Sequence, residues 1–150
     1  MLDRVNRWVN WHIRYRDDEG GDDWAAPIDT LLRGYGDCED YAIAKLGLLA
    51  ELGIPADRMF LVLVRDRSRE IDHAVLAVSG DAGTWILDNR RDAIDPDETA
   101  AYLPTFSYSG RFAWIYGRRQ DAGLAAKSAS GSADGPVMSE QPGPSGINRR

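Results

Sequence analysis

Apolar residues recur at helical spacing from the start of the chain. Val5, Trp8, Val9 and Ile13 form one stripe of Leu2–Tyr15, with Arg4, Arg7 and Arg14 turned to solvent, the pattern of an amphipathic helix. Asp17-Asp18-Glu19-Gly20-Gly21-Asp22-Asp23 breaks the stripe and reads as a flexible acidic loop. Pro27 suits the first turn of a short helix running to Arg33, and Gly34-Tyr35-Gly36-Asp37 ends it. From Cys38 to Leu52 the chain is rich in helix formers, with Ala42, Ile43, Leu46, Leu49 and Ala50 apolar. Gly53 fits the position just past a helix end, and Pro55 prevents continuation. The second half changes period. Met59–Val64, His73–Val78 and Thr84–Leu87 are apolar runs of strand length, with a hairpin turn at Ser79–Gly83, and Phe106–Tyr116 alternates as a further strand or hairpin. Helices first and strands after, without alternation, predict an α+β fold: N-terminal helices packed on an antiparallel sheet.

The pattern stops near Gly117. Gln120–Arg150 is rich in Gly, Ser, Ala and Pro with isolated apolar residues, too few to offset chain entropy. The expected organisation is one domain over residues 1–118 and a disordered tail over 119–150. A hydrophobic content of 43% in 150 residues supports one core. No segment approaches the ~20 apolar residues of a membrane helix, so no membrane insertion is expected, and the domain is expected to be a monomer. The net charge of -6 argues against nucleic acid as a partner. Met1-Leu2-Asp3-Arg4 lacks a basic segment followed by an apolar run, so no signal peptide is expected and the chain as written reads as cytoplasmic.

The chain has one cysteine and two histidines. The single thiol excludes an internal disulfide and a multi-cysteine zinc site. Cys38 lies in Gly34-Tyr35-Gly36-Asp37-Cys38-Glu39-Asp40-Tyr41, at the first turn of the third helix. Unpaired amides and the helix dipole favour an anion there, a setting that activates a cysteine nucleophile. The glycines would let a substrate backbone approach, and the Cys38 amide could serve an oxyanion. A small capping side chain is the bland alternative. A nucleophile needs a base, and the base an orienting group. His12 reads as a surface or half-buried side chain. His73 opens one strand and Asp88 follows the next. With an even-numbered hairpin loop the two share a face, one beside the other. Trp24 reads as core packing, with lining of a cleft as its alternative. Asn89 could orient His73 or shape the strand end.

These segments resemble the bacterial transglutaminase-like cysteine peptidases. The resemblance rests on Trp24-Ala25-Ala26-Pro27, Gly34 to Lys45, Asp72-His73-Ala74-Val75-Leu76 and Leu87-Asp88-Asn89, and spans Val5–Trp114. It implies a papain-like or transglutaminase-like core and a Cys-His-Asp triad of Cys38, His73 and Asp88. The best-known branch of that family is a calcium-dependent periplasmic protease. It clips large surface adhesins and is restrained by a cyclic-di-GMP-responsive membrane receptor. The resemblance thus implies a protein substrate, an adhesin among the candidates, and a membrane receptor as regulator. It points to Asp37 and Glu39 as Ca2+ ligands, with Asp40 a weaker candidate. Carboxylates beside a thiol oppose its ionisation, and a hard cation with oxygen ligands would neutralise them. Three readings stay open: a cysteine endopeptidase, an acyltransferase on the same triad, and a non-catalytic calcium-binding module.

Overall fold

The computed structural model describes residues 1–18, 24–94, 101–110, 112–117 and 137–140. Helix α1 is Leu2–His12, three residues shorter than the hydrophobic stripe suggests. Ile13 leaves the helix with extended backbone yet stays buried beside Val5 and Val9. Its departure lets Arg14–Tyr15 (β1) pair in parallel with Tyr35–Gly36 (β2). Trp8 does not join the core: it lies exposed and stacks on His12 with ring centroids 4.5 Å apart. Pro27–Arg33 forms α2, with proline in its first turn and Gly34 closing it in the left-handed region at φ 71°.

Helix α3, Cys38–Glu51, begins in a capping box. The Asp37 carboxylate accepts from the Asp40 N–H at 3.4 Å, and the Asp40 carboxylate from the Asp37 N–H at 3.3 Å. Such a cap contributes about 1 kcal/mol and fixes where the helix starts. Tyr41, Ala42, Ala44, Lys45 and Leu49 are buried along α3. Gly47 lets Pro27 of α2 approach, for a Cβ at 47 would lie 2.5 Å from the proline ring.

After a short 3-10 turn, Ala56–Arg58, come β3 (Met59–Asp66), β4 (Ile71–Gly80), β5 (Gly83–Leu87), β6 (Tyr102–Ser109), β7 (Phe112–Gly117) and β8 (Val137–Glu140). They form one antiparallel sheet in the order β5-β4-β3-β6-β7-β8. Helices packed on an antiparallel sheet give the α+β architecture expected. Strand alternation separates two apolar clusters. Met59, Leu61, Ala74, Leu76, Val78 and Leu87 pack with the buried residues of α1 and α3. Val62, Val64, Val75 and Ala77 form a smaller cluster on the other face. Each fully buried aliphatic side chain contributes about 1.5–3 kcal/mol of transfer free energy. The tail read as lacking any fold differs at four residues: Val137–Glu140 pairs with β7. Without it β7 would present a row of unpaired N–H and C=O groups. The rest of residues 118–150 lies outside the described residues, as does 19–23 of the acidic loop.

Candidate active site

The β4–β5 turn decides where the strand-borne groups go. Gly80 pairs with Gly83 across a two-residue loop, and the register runs to Leu76 opposite Leu87. That even-numbered loop puts His73 and Asp88 on the same face, as parity required. The His73 Nε2 lies 2.8 Å from Asp88 Oδ1, and both residues are buried. Asp88 receives further bonds. The Arg90 backbone N–H donates to Oδ1 at 3.0 Å, and the Tyr102 hydroxyl donates to Oδ2. Burial opposes ionisation of Asp88, but the donors, His73 foremost, outweigh it and hold the carboxyl down to about 2. An ionised Asp88 makes Nε2 the protonated nitrogen of a neutral His73. Nδ1 is left buried and, among the described residues, without a partner.

Cys38 approaches from the helix side. It is half-buried at the first position of α3, and the Ala74 backbone N–H is turned to its sulfur. Ala74 follows His73, in the part of β4 beyond the last residue paired with β5. The thiol itself donates to Glu39 Oε2 at 3.0 Å. Burial, that bond and the Glu39 charge push the thiol up to about 12, against the opposing Ala74 amide. In this arrangement the sulfur is a held thiol, and the helix-terminus effect does not prevail.

The three carboxylates around Cys38 have separate lives. Asp40 is wholly buried and fully engaged. Its Oδ1 accepts from the Ala25 N–H at 3.2 Å and the Thr30 hydroxyl at 3.3 Å. Its Oδ2 takes the Arg33 guanidinium as well as the Asp37 N–H. Gly36 makes room for it, since a Cβ there would lie 2.6 Å from the Asp40 Cβ. That glycine therefore serves the Asp40 cap, where the sequence suggested substrate approach. Asp37 and Glu39 instead face each other. Burial, and then the Glu39 charge and a hydrogen bond to it, raise the Asp37 carboxyl to about 7. No described cation pairs with either. No group of three or more His, Cys, Asp or Glu side chains is gathered for an ion among the described residues.

Other groups fall into place. Trp24 is exposed, edge-on to Tyr108 at 5.6 Å, so core packing is not its role. His12 is exposed and meets the Leu31 carbonyl at 3.1 Å. Tyr102, Arg90 and Asp66 were not foreseen. Tyr102 is 14 residues from Asp88, and only the β3–β6 pairing brings it near. The Asp66-x-Ser68 spacing is a turn signal that could have drawn attention to Asp66. Among the described residues no helix is long and apolar enough to cross a membrane.

A cysteine opening a helix, set against a sheet that carries a buried His–Asp pair, is the framework of transglutaminase-like cysteine enzymes. The chain belongs to the bacterial transglutaminase-like cysteine proteinase family, matching its pattern over residues 1–115. It is similar to calcium-bound LapG of Legionella pneumophila, with 26% identity and a TM-score of 0.69, covering 83% of this chain and 72% of that one. EGTA-treated LapG is similar at 25% identity and a TM-score of 0.68, over 85% of this chain and 70% of that one. The UPF0252 protein PH0672 of Pyrococcus horikoshii is 30% identical over 103 residues, 69% of this chain and 32% of that protein. This chain therefore spans about a third of that relative's length.

Proposed function

We propose that this chain is a calcium-dependent cysteine endopeptidase in which Cys38 is the nucleophile, His73 the base and Asp88 the group that orients the base. The observation that carries the reading is the buried His73–Asp88 pair at 2.8 Å, with Nδ1 unpartnered and Cys38 turned to the next residue of the strand, Ala74. The Cys38 proton passes to His73 Nδ1, and the sulfur adds to the scissile carbonyl. The carbon–nitrogen bond then breaks as the imidazolium returns its proton to the leaving amine. Water, deprotonated by His73, splits the thioester and restores the thiol. The Cys38 amide has no acceptor within its own helix and suits the oxyanion.

Asp37 and Glu39 are the residues that would hold calcium. Two facing carboxyls, one raised to about 7 by burial and then by the other's charge and hydrogen bond, are a pair that a hard cation relieves. Asp40 is set aside as a ligand, since its oxygens serve Arg33, Thr30 and two backbone amides. Calcium held by Asp37 and Glu39 would supply positive charge there and weaken the hold of Glu39 on the Cys38 proton. The calcium-bound form of LapG supports this reading. The proposed substrate is a protein chain, and a large surface adhesin is the candidate that the family resemblance suggests.

Cys38→Ala tests the reading. It should abolish cleavage of a protein substrate, a loss of several orders of magnitude, with the melting temperature kept. Wild-type cleavage should stop in EGTA and return with calcium. Activity of Cys38→Ala within tenfold of wild type would sink the triad. Transfer of the acyl group to an added primary amine, with no hydrolysis, would assign acyl transfer instead.

A further inference from the structure

Asp88 lies outside the regular sheet. The β4–β5 ladder ends at Leu76 opposite Leu87, and only an isolated bridge between Asp88 and Arg91 follows. Something else must set where Asp88 sits, and the loop is gripped from two sides. On one side α1 holds its carbonyls. Asn6 Nδ2 donates to Arg91 O at 2.7 Å and Asp92 O at 3.0 Å, and Asn10 Nδ2 donates to Asp88 O at 3.0 Å.

On the other side stands Asp66, the last residue of β3, a carboxylate with 0% exposure. Its Oδ1 accepts from the Ser68 hydroxyl at 2.6 Å, the Ser68 N–H at 2.9 Å and the Arg69 N–H at 3.2 Å. Its Oδ2 accepts from Arg69 Nη1 and from Arg90 Nη1, each at 3.0 Å. These donors, the Ser68 hydroxyl first, overcome burial and keep the carboxyl well below its usual range. Arg90 is thus tied at both ends. Its guanidinium rests on Asp66, and its backbone N–H donates at 3.0 Å to Asp88 Oδ1, the oxygen that meets His73. Asp66 belongs to the same hairpin as His73: Asp66 pairs with Ile71, and Val64 with His73. The Asp66–Arg90 pair therefore references the Asp88 loop to the strands that carry the histidine.

We propose that Arg90, seated on the buried carboxylate of Asp66, is a positioning residue that fixes Asp88 against His73. The proposal rests on the Cys38–His73–Asp88 reading above. A purely structural ion pair would affect stability alone, whereas this one sets the geometry of the base.

The test is Arg90→Met in the full chain, which removes the guanidinium and keeps the stem and backbone N–H. Asp66 retains Ser68 and Arg69, so the fold should survive. Two readouts apply: iodoacetamide alkylation of Cys38 at neutral pH with calcium present, and the proton resonance of His73 Nε2–H. The variant should alkylate at least about tenfold more slowly, with the His73 resonance shifted or broadened. Arg90→Lys, which keeps a charged donor, should recover part of both. Wild-type alkylation and an unmoved resonance in Arg90→Met would overturn the proposal. So would slower alkylation with an unmoved resonance and a lowered melting temperature. Should Arg90→Met not fold, Arg90→Gln carries the same readings, for its shorter, neutral side chain falls short of Asp66 and leaves a polar group in place of the guanidinium. Asp88→Asn is the control: if it alkylates like wild type, the triad reading fails, while the resonance still judges Arg90.

Discussion

Replacing Glu39 by glutamine should make Cys38 more reactive in calcium-free protein. The thiol, pushed up to about 12, is held there first by burial, then by its bond to Glu39 and the Glu39 charge. At pH 7 such a thiol is roughly one part in 100,000 thiolate. Glutamine keeps the size of the side chain, removes the charge, and offers an N–H that favours the thiolate. Burial remains, so a fall of about 1–2 pH units is expected. The thiolate population would rise about 10–100-fold, but a less basic sulfur is a weaker nucleophile with a Brønsted slope of about 0.4–0.5. The net gain in alkylation rate is then roughly three- to sixteenfold. The assay is iodoacetamide kinetics in EGTA, followed by mass spectrometry; Cys38 is the only thiol. Added calcium should accelerate wild type and leave Glu39→Gln nearly unchanged. If Glu39 were a ligand and nothing more, the variant would stay as slow as chelated wild type. That result, or a slower one, would refute the claim that Glu39 holds the thiol.

Two further outcomes follow from buried charge and from the sheet edge. Lys45 is wholly buried, its Nζ over the Tyr41 ring and without a hydrogen-bond partner among the described residues, and burial lowers it to about 7 despite Asp88 and Asp92. The unfolded lysine binds its proton up to about 10.5, so unfolding takes up a proton between those values and the native protein gains stability as pH rises through that window. Lys45→Met should therefore be more stable than wild type at about pH 7, by on the order of a few kcal/mol, with the gain gone by about pH 10. Urea unfolding at both values checks this, and a variant less stable at the lower pH would refute it. Removal of residues 119–150 should leave a folded domain, because the helices and strands β3–β5 build the apolar cluster among themselves. It should also uncover the β7 edge and promote self-association, measurable by sedimentation. Loss of the cooperative melt would show that the tail belongs to the core.

How much of this was legible in the chain depends on the range of each interaction. Local signals carried α2 and α3 well: Pro27 and Gly34 bracket the first, and Gly53 follows the cap of the second. The His73–Asp88 pairing was readable because strand parity converts a two-residue loop into a shared face. The end of α1 was not, since Ile13 stays buried whether helical or extended, and only the β1–β2 pairing decides between them. Glu39 was counted as one charge among three. Its role as the thiol's acceptor, like the engagement of Asp40 by Arg33, is set by side-chain directions that residue spacing does not encode. Tyr102 and Asp66 reach Asp88 only through the β3–β6 and β3–β4 ladders.

The two halves of the site are built to different standards of rigidity, and this bears on how such an enzyme would be controlled. The proposed base, His73, sits in a polar lattice. His73, Asp88, Tyr102, Arg90 and Asp66 are joined by a chain of hydrogen bonds in buried and partly buried surroundings, where each bond stiffens the next. The proposed nucleophile, Cys38, sits on a helix end whose position is equally fixed by Asp40, Thr30 and Arg33, but the thiol proton is held by Glu39. Nothing in the base half has to move for Cys38 to ionise. Burial of the thiol stays as it is; the charge on Asp37 and Glu39 is the part that a small cation could offset without altering the fold. Activity in this arrangement would follow occupancy of one carboxylate pair. The Asp66–Arg90 brace would set the maximal rate attainable once that pair is neutralised. Variants of the two groups should then separate cleanly: those at Asp37 or Glu39 shift the calcium response, and those at Arg90 lower the rate at saturating calcium without shifting it.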